Sequence, residues 1–86
     1  MRVLVVEDDA VLLDGLRVGL GMAGYTVEAV STCADASAAL DTSEFDALVL
    51  DLMLPDGSGL DILAALRGRG SKLPVLLLTA RDGVPD

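Results

Sequence analysis

With 86 residues and a formal charge of −8, from 14 acids against 6 Lys and Arg and no histidine, this chain is one small domain at most. The acidity argues against direct contact with nucleic acid or a membrane surface, because phosphate backbones and anionic lipid would repel it. The apolar share of 52% rests on Leu, Val and Ala, with Tyr25 and Phe45 the only aromatics. Such a profile suits strands covered by helices on both faces rather than a sandwich with aromatic anchors.

In chain order, Val3–Val6 is a short, continuous, valine-rich run, the pattern of a strand buried on both faces. Leu12, Leu13, Leu16, Leu20 and Ala23 fall on one helical face, and Gly24 stands where a helix C-terminus is capped. Tyr25–Val30 alternates, with Thr26 and Glu28 on one face and Tyr25, Val27 and Ala29 on the other, which predicts an edge strand with one wetter face. Thr32 and Asp35, in capping-box spacing, open a second helix with Cys33, Ala36 and Leu40 on its apolar stripe. Phe45–Leu50 predicts a third strand, and Pro55-Asp56-Gly57 a turn in a plain loop. Ser58 is the N-cap of a third helix carrying Ile62, Leu63 and Leu66, closed by Gly68 and Gly70. Val75–Leu78, entered by Pro74, is a fourth strand. Strict strand–helix alternation predicts an α/β fold with a parallel sheet and right-handed crossovers.

The opening stretch, Arg2 and four apolar residues cut short by acids, does not read as a secretory signal, and no apolar run approaches the ~18 residues of a membrane span. Cys33, the single cysteine, has no internal disulfide partner and reads as a small buried residue. Both features predict a cytoplasmic protein. An apolar fourth strand left bare at a sheet edge is an aggregation hazard. The expectation is therefore a further strand after it, or a homodimer that pairs the edge.

The acids are not evenly scattered. In an open α/β sheet the loops at the carboxyl ends of the strands build the site. Glu7 and Asp8 directly follow the first strand, Asp51 the third and Thr79 the fourth, so all four converge on one rim if the first and third strands are neighbours. Three carboxylates there repel one another unless one is protonated or a cation is supplied. Oxygen ligands without His or Cys favour Mg²⁺, which keeps open positions for phosphate oxygens. A carboxylate beside it could attack phosphorus and form an acyl phosphate. For Asp9 a helix cap is the better reading. Asp51 interrupts an apolar stretch from Ala47 to Leu54, and an acid buried there without a role would destabilise the fold.

VLVVEDD (Val3–Asp9), LVLDLMLPDGSGLDIL (Leu48–Leu63) and PVLLLTAR (Pro74–Arg81) together resemble the receiver domains of two-component response regulators, most closely those joined to winged-helix DNA-binding domains. The resemblance spans the whole chain. It implies a flavodoxin-like parallel sheet with helices on both faces, in the order 2-1-3-4 within these residues. Residues 1–86 would then be a partial receiver domain, with the fourth helix, an aromatic-bearing fifth strand, a Lys-Pro pair and a fifth helix beyond them. Asp51 matches the phosphoacceptor. Asp8 and Asp51 match direct Mg²⁺ ligands, the backbone carbonyl of Met53 a third, and Glu7 the acid that holds metal-bound water. Thr79 matches the switch hydroxyl, Ala80 the small residue that keeps the site open, and Pro55 and Gly57 the loop shaping it. The implied function is a phosphoacceptor, not a turnover enzyme. It takes a phosphoryl group from a sensor histidine kinase and switches conformation to control transcription through an effector domain elsewhere in the protein.

Three other readings compete. A non-phosphorylated interaction module would keep only the fold. A Mg²⁺-dependent aspartyl phosphatase would place a second acid two residues after its nucleophile, where this chain has Met53. A flavodoxin-like cofactor binder would cradle phosphate with Gly, Ser or Thr after the first strand, where this chain has Glu7-Asp8-Asp9.

Overall fold

An unbroken apolar run has no wet face to offer, and β1 (Arg2–Val6) accordingly lies inside the sheet with Val3 to Val6 all buried. The computed structural model describes residues 1–78. After β1 come α1 (Ala10–Met22), β2 (Thr26–Val30), α2 (Cys33–Thr42) and β3 (Ala47–Asp51). They are followed by two short strands, β4 (Met53–Leu54) and β5 (Gly57–Ser58), then α3 (Gly59–Gly68) and β6 (Val75–Leu78). The main sheet runs β2-β1-β3-β6 and every pairing in it is parallel. With β6 as the fourth main strand, this is the expected 2-1-3-4 order.

Alternation along the strands divides the core in two. Val3, Val5 and Val49 face α1 through Leu13, Leu16 and Leu20. Leu4, Val6, Leu48 and Leu50 face α2 and α3 through Ala36, Ala39, Ile62 and Leu66. Each fully buried Val or Leu contributes roughly 1.5–3 kcal/mol, so these few side chains carry much of the stability of so short a chain. Leu12 departs from the expected stripe and is exposed, because α1 presents Leu13, Leu16 and Leu20 inward and Leu12 lies a hundred degrees from Leu13 around the helix.

Two strands begin or end differently from the sequence pattern. Tyr25 precedes β2 because its N–H closes the end of α1 on the carbonyl of Leu20, 3.1 Å away, while the Gly24 N–H bonds to Gly21 O at 3.0 Å. This pair of bonds needs a left-handed residue between helix and strand, and Gly24 supplies it at φ 99°. The third strand starts at Ala47, not Phe45, and includes Asp51, which pairs with Leu78 of β6. The loop after it is not plain. Met53 and Leu54 pair antiparallel with Ser58 and Gly57, making a small hairpin whose turn is Pro55-Asp56. Ser58 caps α3 as expected, its hydroxyl accepting the Leu60 N–H at 3.1 Å. On the far edge β6 leaves Leu76 63% exposed, with the apolar character the sequence showed there.

Candidate metal site

The parallel register brings the ends of β1 and β3 to one rim. Val6 is level with Leu50, so the next residues, Glu7 and Asp51, stand side by side. Glu7 is held there by its own N–H, which bonds to Val30 O at the end of β2 at 3.1 Å. Both side chains are almost fully buried, Glu7 at 2% exposure and Asp51 at 1%, while Asp8 is open to solvent. One carboxylate oxygen from each of Glu7, Asp8 and Asp51 lies within 4.8 Å of the others.

The hydrogen bonds around the cluster are too few for three acids. Glu7 Oε2 accepts the Asp9 N–H at 2.9 Å, and Asp51 Oδ1 accepts the Met53 N–H at 3.3 Å. Asp51 Oδ2 is buried with no hydrogen-bond partner among the described residues. An unpaired buried carboxylate oxygen is costly, and a hard cation bound by oxygen ligands would satisfy it. Burial pushes the Glu7 carboxyl above its ordinary value; the Asp9 N–H opposes this, and the neighbouring Asp51 charge adds to it. The described residues therefore fit a divalent cation: three convergent carboxylates, one buried oxygen without a partner among them, and none of their basic groups paired with the cluster.

The remaining sequence candidates separate by position. Asp9 is the N-cap of α1, with its Oδ1 accepting from Val11 N at 3.0 Å and Leu12 N at 3.2 Å. Met53 stands on β4, its N–H on Asp51 and its side chain exposed. Thr79 and Ala80 lie outside the described residues. Two contributors escaped the sequence reading. Gly59 approaches the site's backbone so closely that a Cβ there would lie 2.2 Å from Asp51 O. Asp56, read as a turn residue, sends its carboxylate to the N-terminus of α2. The first could have been suspected from a glycine directly after a helix cap. The second had no sequence signal, because its partners lie more than twenty residues away.

A family profile described as response regulator receiver domain matches residues 3–86. The chain belongs to that family. Among curated receiver-containing relatives, it is 58% identical over all 86 residues to the response regulator protein PmrA of Pseudomonas aeruginosa and 44% identical to the transcriptional regulatory protein BasR of Escherichia coli. It spans 39% of the length of each, so it corresponds to the receiver portion of a response regulator of the transcriptional type. Among solved receivers, that of a Francisella response regulator superposes with a TM-score of 0.89 at 26% identity, covering 96% of this chain and 69% of that one. The response regulator TrrA of Thermotoga maritima, in complex with Mg²⁺ and BeF, superposes at 0.87 with 27% identity, covering 94% of this chain and 70% of the other. Among the described residues no helix is long and apolar enough to cross a membrane.

Proposed function

We propose that this receiver takes a phosphoryl group from a sensor histidine kinase onto Asp51, with Mg²⁺ held by the acidic rim, in the cytoplasm. The observation that carries the reading is the buried Oδ2 of Asp51, without a partner among the described residues, beside Glu7 and Asp8. A carboxylate oxygen of Asp51 attacks phosphorus as the phosphorus–nitrogen bond of a phosphohistidine breaks, and the bonding pair leaves with the imidazole nitrogen. The product is an acyl phosphate on Asp51. Asp8 and Asp51 would hold the metal directly, with the Met53 carbonyl as a third protein ligand and Glu7 holding metal-bound water. Bound Mg²⁺ supplies neutralisation of the charge on the transferred group. Thr79, next in sequence after Leu78, would donate its hydroxyl to a phosphoryl oxygen and so read the modification.

The step is stoichiometric and the aspartate is consumed, so the domain is a switch rather than a turnover enzyme. Its output is transcriptional, through a winged-helix DNA-binding domain in the same protein. The named relatives support that output, and the Mg²⁺ and BeF reported for the TrrA receiver support the metal. The test is intact-mass and peptide mass spectrometry of the whole protein after treatment with a small phosphodonor and Mg²⁺. One added phosphoryl group on Asp51, lost in Asp51→Asn, is expected. Label on another residue, or none, overturns the reading.

A further inference from the structure

The metal reading above needs Met53 at a set distance from Asp51, and Met53 sits on a two-residue strand with little to hold it. Its side chain is 61% exposed and contributes no anchor. The base of the hairpin is secured by Leu54, buried in the α2–α3 core, and by the Gly59 N–H on Leu52 O at 3.0 Å. The turn projects beyond both. There Asp56 reaches across to α2, where its Oδ1 accepts the Cys33 N–H at 2.7 Å and its Oδ2 the Ala34 N–H at 3.0 Å.

Those two donors belong to the first turn of α2, which has no carbonyls of its own to offer them. Both oxygens are engaged, so the plane of the carboxylate, and with it the turn, is fixed relative to the helix. The helix N-terminus also favours the negative charge. The Cys33 N–H and then the Ala34 N–H hold the Asp56 carboxyl below its usual range, so it stays ionised at neutral pH. The contact is close in other ways: a Cβ on Gly57 would come 3.3 Å from Cys33 Sγ, and that thiol lies 3.9 Å from Ser58 O. The bonds close a ring around the rim. Glu7 is tied to the end of β2, β2 leads through Thr32 into α2, α2 is tied to Asp56, and the hairpin returns through Met53 N–H to Asp51.

We propose that Asp56 is a positioning residue for the acidic site, fastening the β4–β5 hairpin to α2 and thereby setting where Met53 stands relative to the Asp51 carboxylate. The proposal rests on the metal reading for its consequence but not for the tie itself. Asp56 touches neither metal nor phosphoryl group. It acts through the hairpin, so its loss weakens metal binding while every carboxylate of the cluster remains.

The experiment compares Asp56→Ala, Asp56→Asn and Thr32→Ala in the intact protein, well below their melting temperatures. Thr32→Ala is the control: it removes the other cap of α2, the hydroxyl that accepts the Asp35 N–H at 3.0 Å, without touching the hairpin. Two readouts are taken, Mg²⁺ affinity by titration and amide hydrogen exchange over residues 53–58. Asp56→Ala should accelerate exchange in the hairpin and weaken Mg²⁺ about tenfold, the low end for loss of a group that orients a ligand. Asp56→Asn, which keeps one acceptor, should recover part of both, and Thr32→Ala should change neither. Unchanged hairpin exchange in Asp56→Ala overturns the tie. Faster exchange with unchanged Mg²⁺ affinity, or equal effects from Thr32→Ala, overturns the positioning role. If the wild type binds no Mg²⁺ the functional reading fails and the positioning role fails with it, while hydrogen exchange still decides the tie.

Discussion

The two ends of the same strands treat their acids in opposite ways. At the floor of the sheet, Asp46 accepts the Arg2 N–H at 2.7 Å, Glu28 pairs with the Arg2 guanidinium at 3.4 Å, and that guanidinium lies 4.9 Å from the centre of the Phe45 ring. At the rim, Glu7 and Asp51 are more deeply buried and no Arg or Lys pairs with them among the described residues. Asp46 precedes β3 and Asp51 ends it, yet one is satisfied by its own chain and the other keeps an oxygen without a partner among the described residues. The floor's acids stabilise the fold by finding partners within it. The rim's acids are held in a geometry that the fold alone does not reward, and the proposed cation site would supply what is missing.

The largest effect that probes this contrast concerns the backbone holding the rim. Gly59→Val places a side chain against Asp51 O and should cost about 3 kcal/mol in denaturant unfolding, since backbone cannot yield as a flexible side chain does. An unfolding midpoint equal to the wild type would show that the close approach does not constrain the rim. The next effect is one of sign. Without Mg²⁺, Asp51→Asn should raise stability by about 1–2 kcal/mol, because it removes a buried charge beside Glu7 while keeping the shape. Asp46→Ala should instead lower it by about 1 kcal/mol, the worth of one hydrogen bond. Thermal melts giving both substitutions the same sign would break the comparison between the ends.

The smallest effect is in pH. Burial and the charge of Asp51 raise the Glu7 carboxyl above its ordinary value of 4.5. Just above that pH the folded chain keeps a proton that the unfolded chain has released, so metal-free stability falls as pH rises through the window. In the proposed site Mg²⁺ would take the place of that proton, so its affinity should rise with pH over the same window. Melts and titrations across the window should show opposite slopes in the wild type and flatter ones in Glu7→Gln. A flat wild-type profile would remove Glu7 from the site.

How much of this was legible in the sequence depended on whether the signal was local. The strands around Val3–Val6 and Val75–Leu78, the caps at Asp9, Thr32 and Ser58, and the bend at Gly24 each follow from a residue and its immediate neighbours, and each stands where the pattern put it. The Schellman closure at Tyr25 and the outward turn of Leu12 shifted details because both depend on how α1 sits on the sheet. The acids Glu7, Asp8 and Asp51 could be nominated as a set from their places after apolar runs, since parallel strands carry such residues to a common edge.

Sequence alone therefore determined the alternating α/β order, the strand and helix cores and the candidate acids, because period and capping chemistry act over a few residues. Only the tertiary structure decided that Asp51 Oδ2 is left without a partner among the described residues and that Gly59 has no room for a side chain. It also decided that Asp56 is not a plain turn residue but the tie between hairpin and α2. Each of these is a contact, or the lack of one, between segments distant along the chain, and register and burial exist only once those segments have packed.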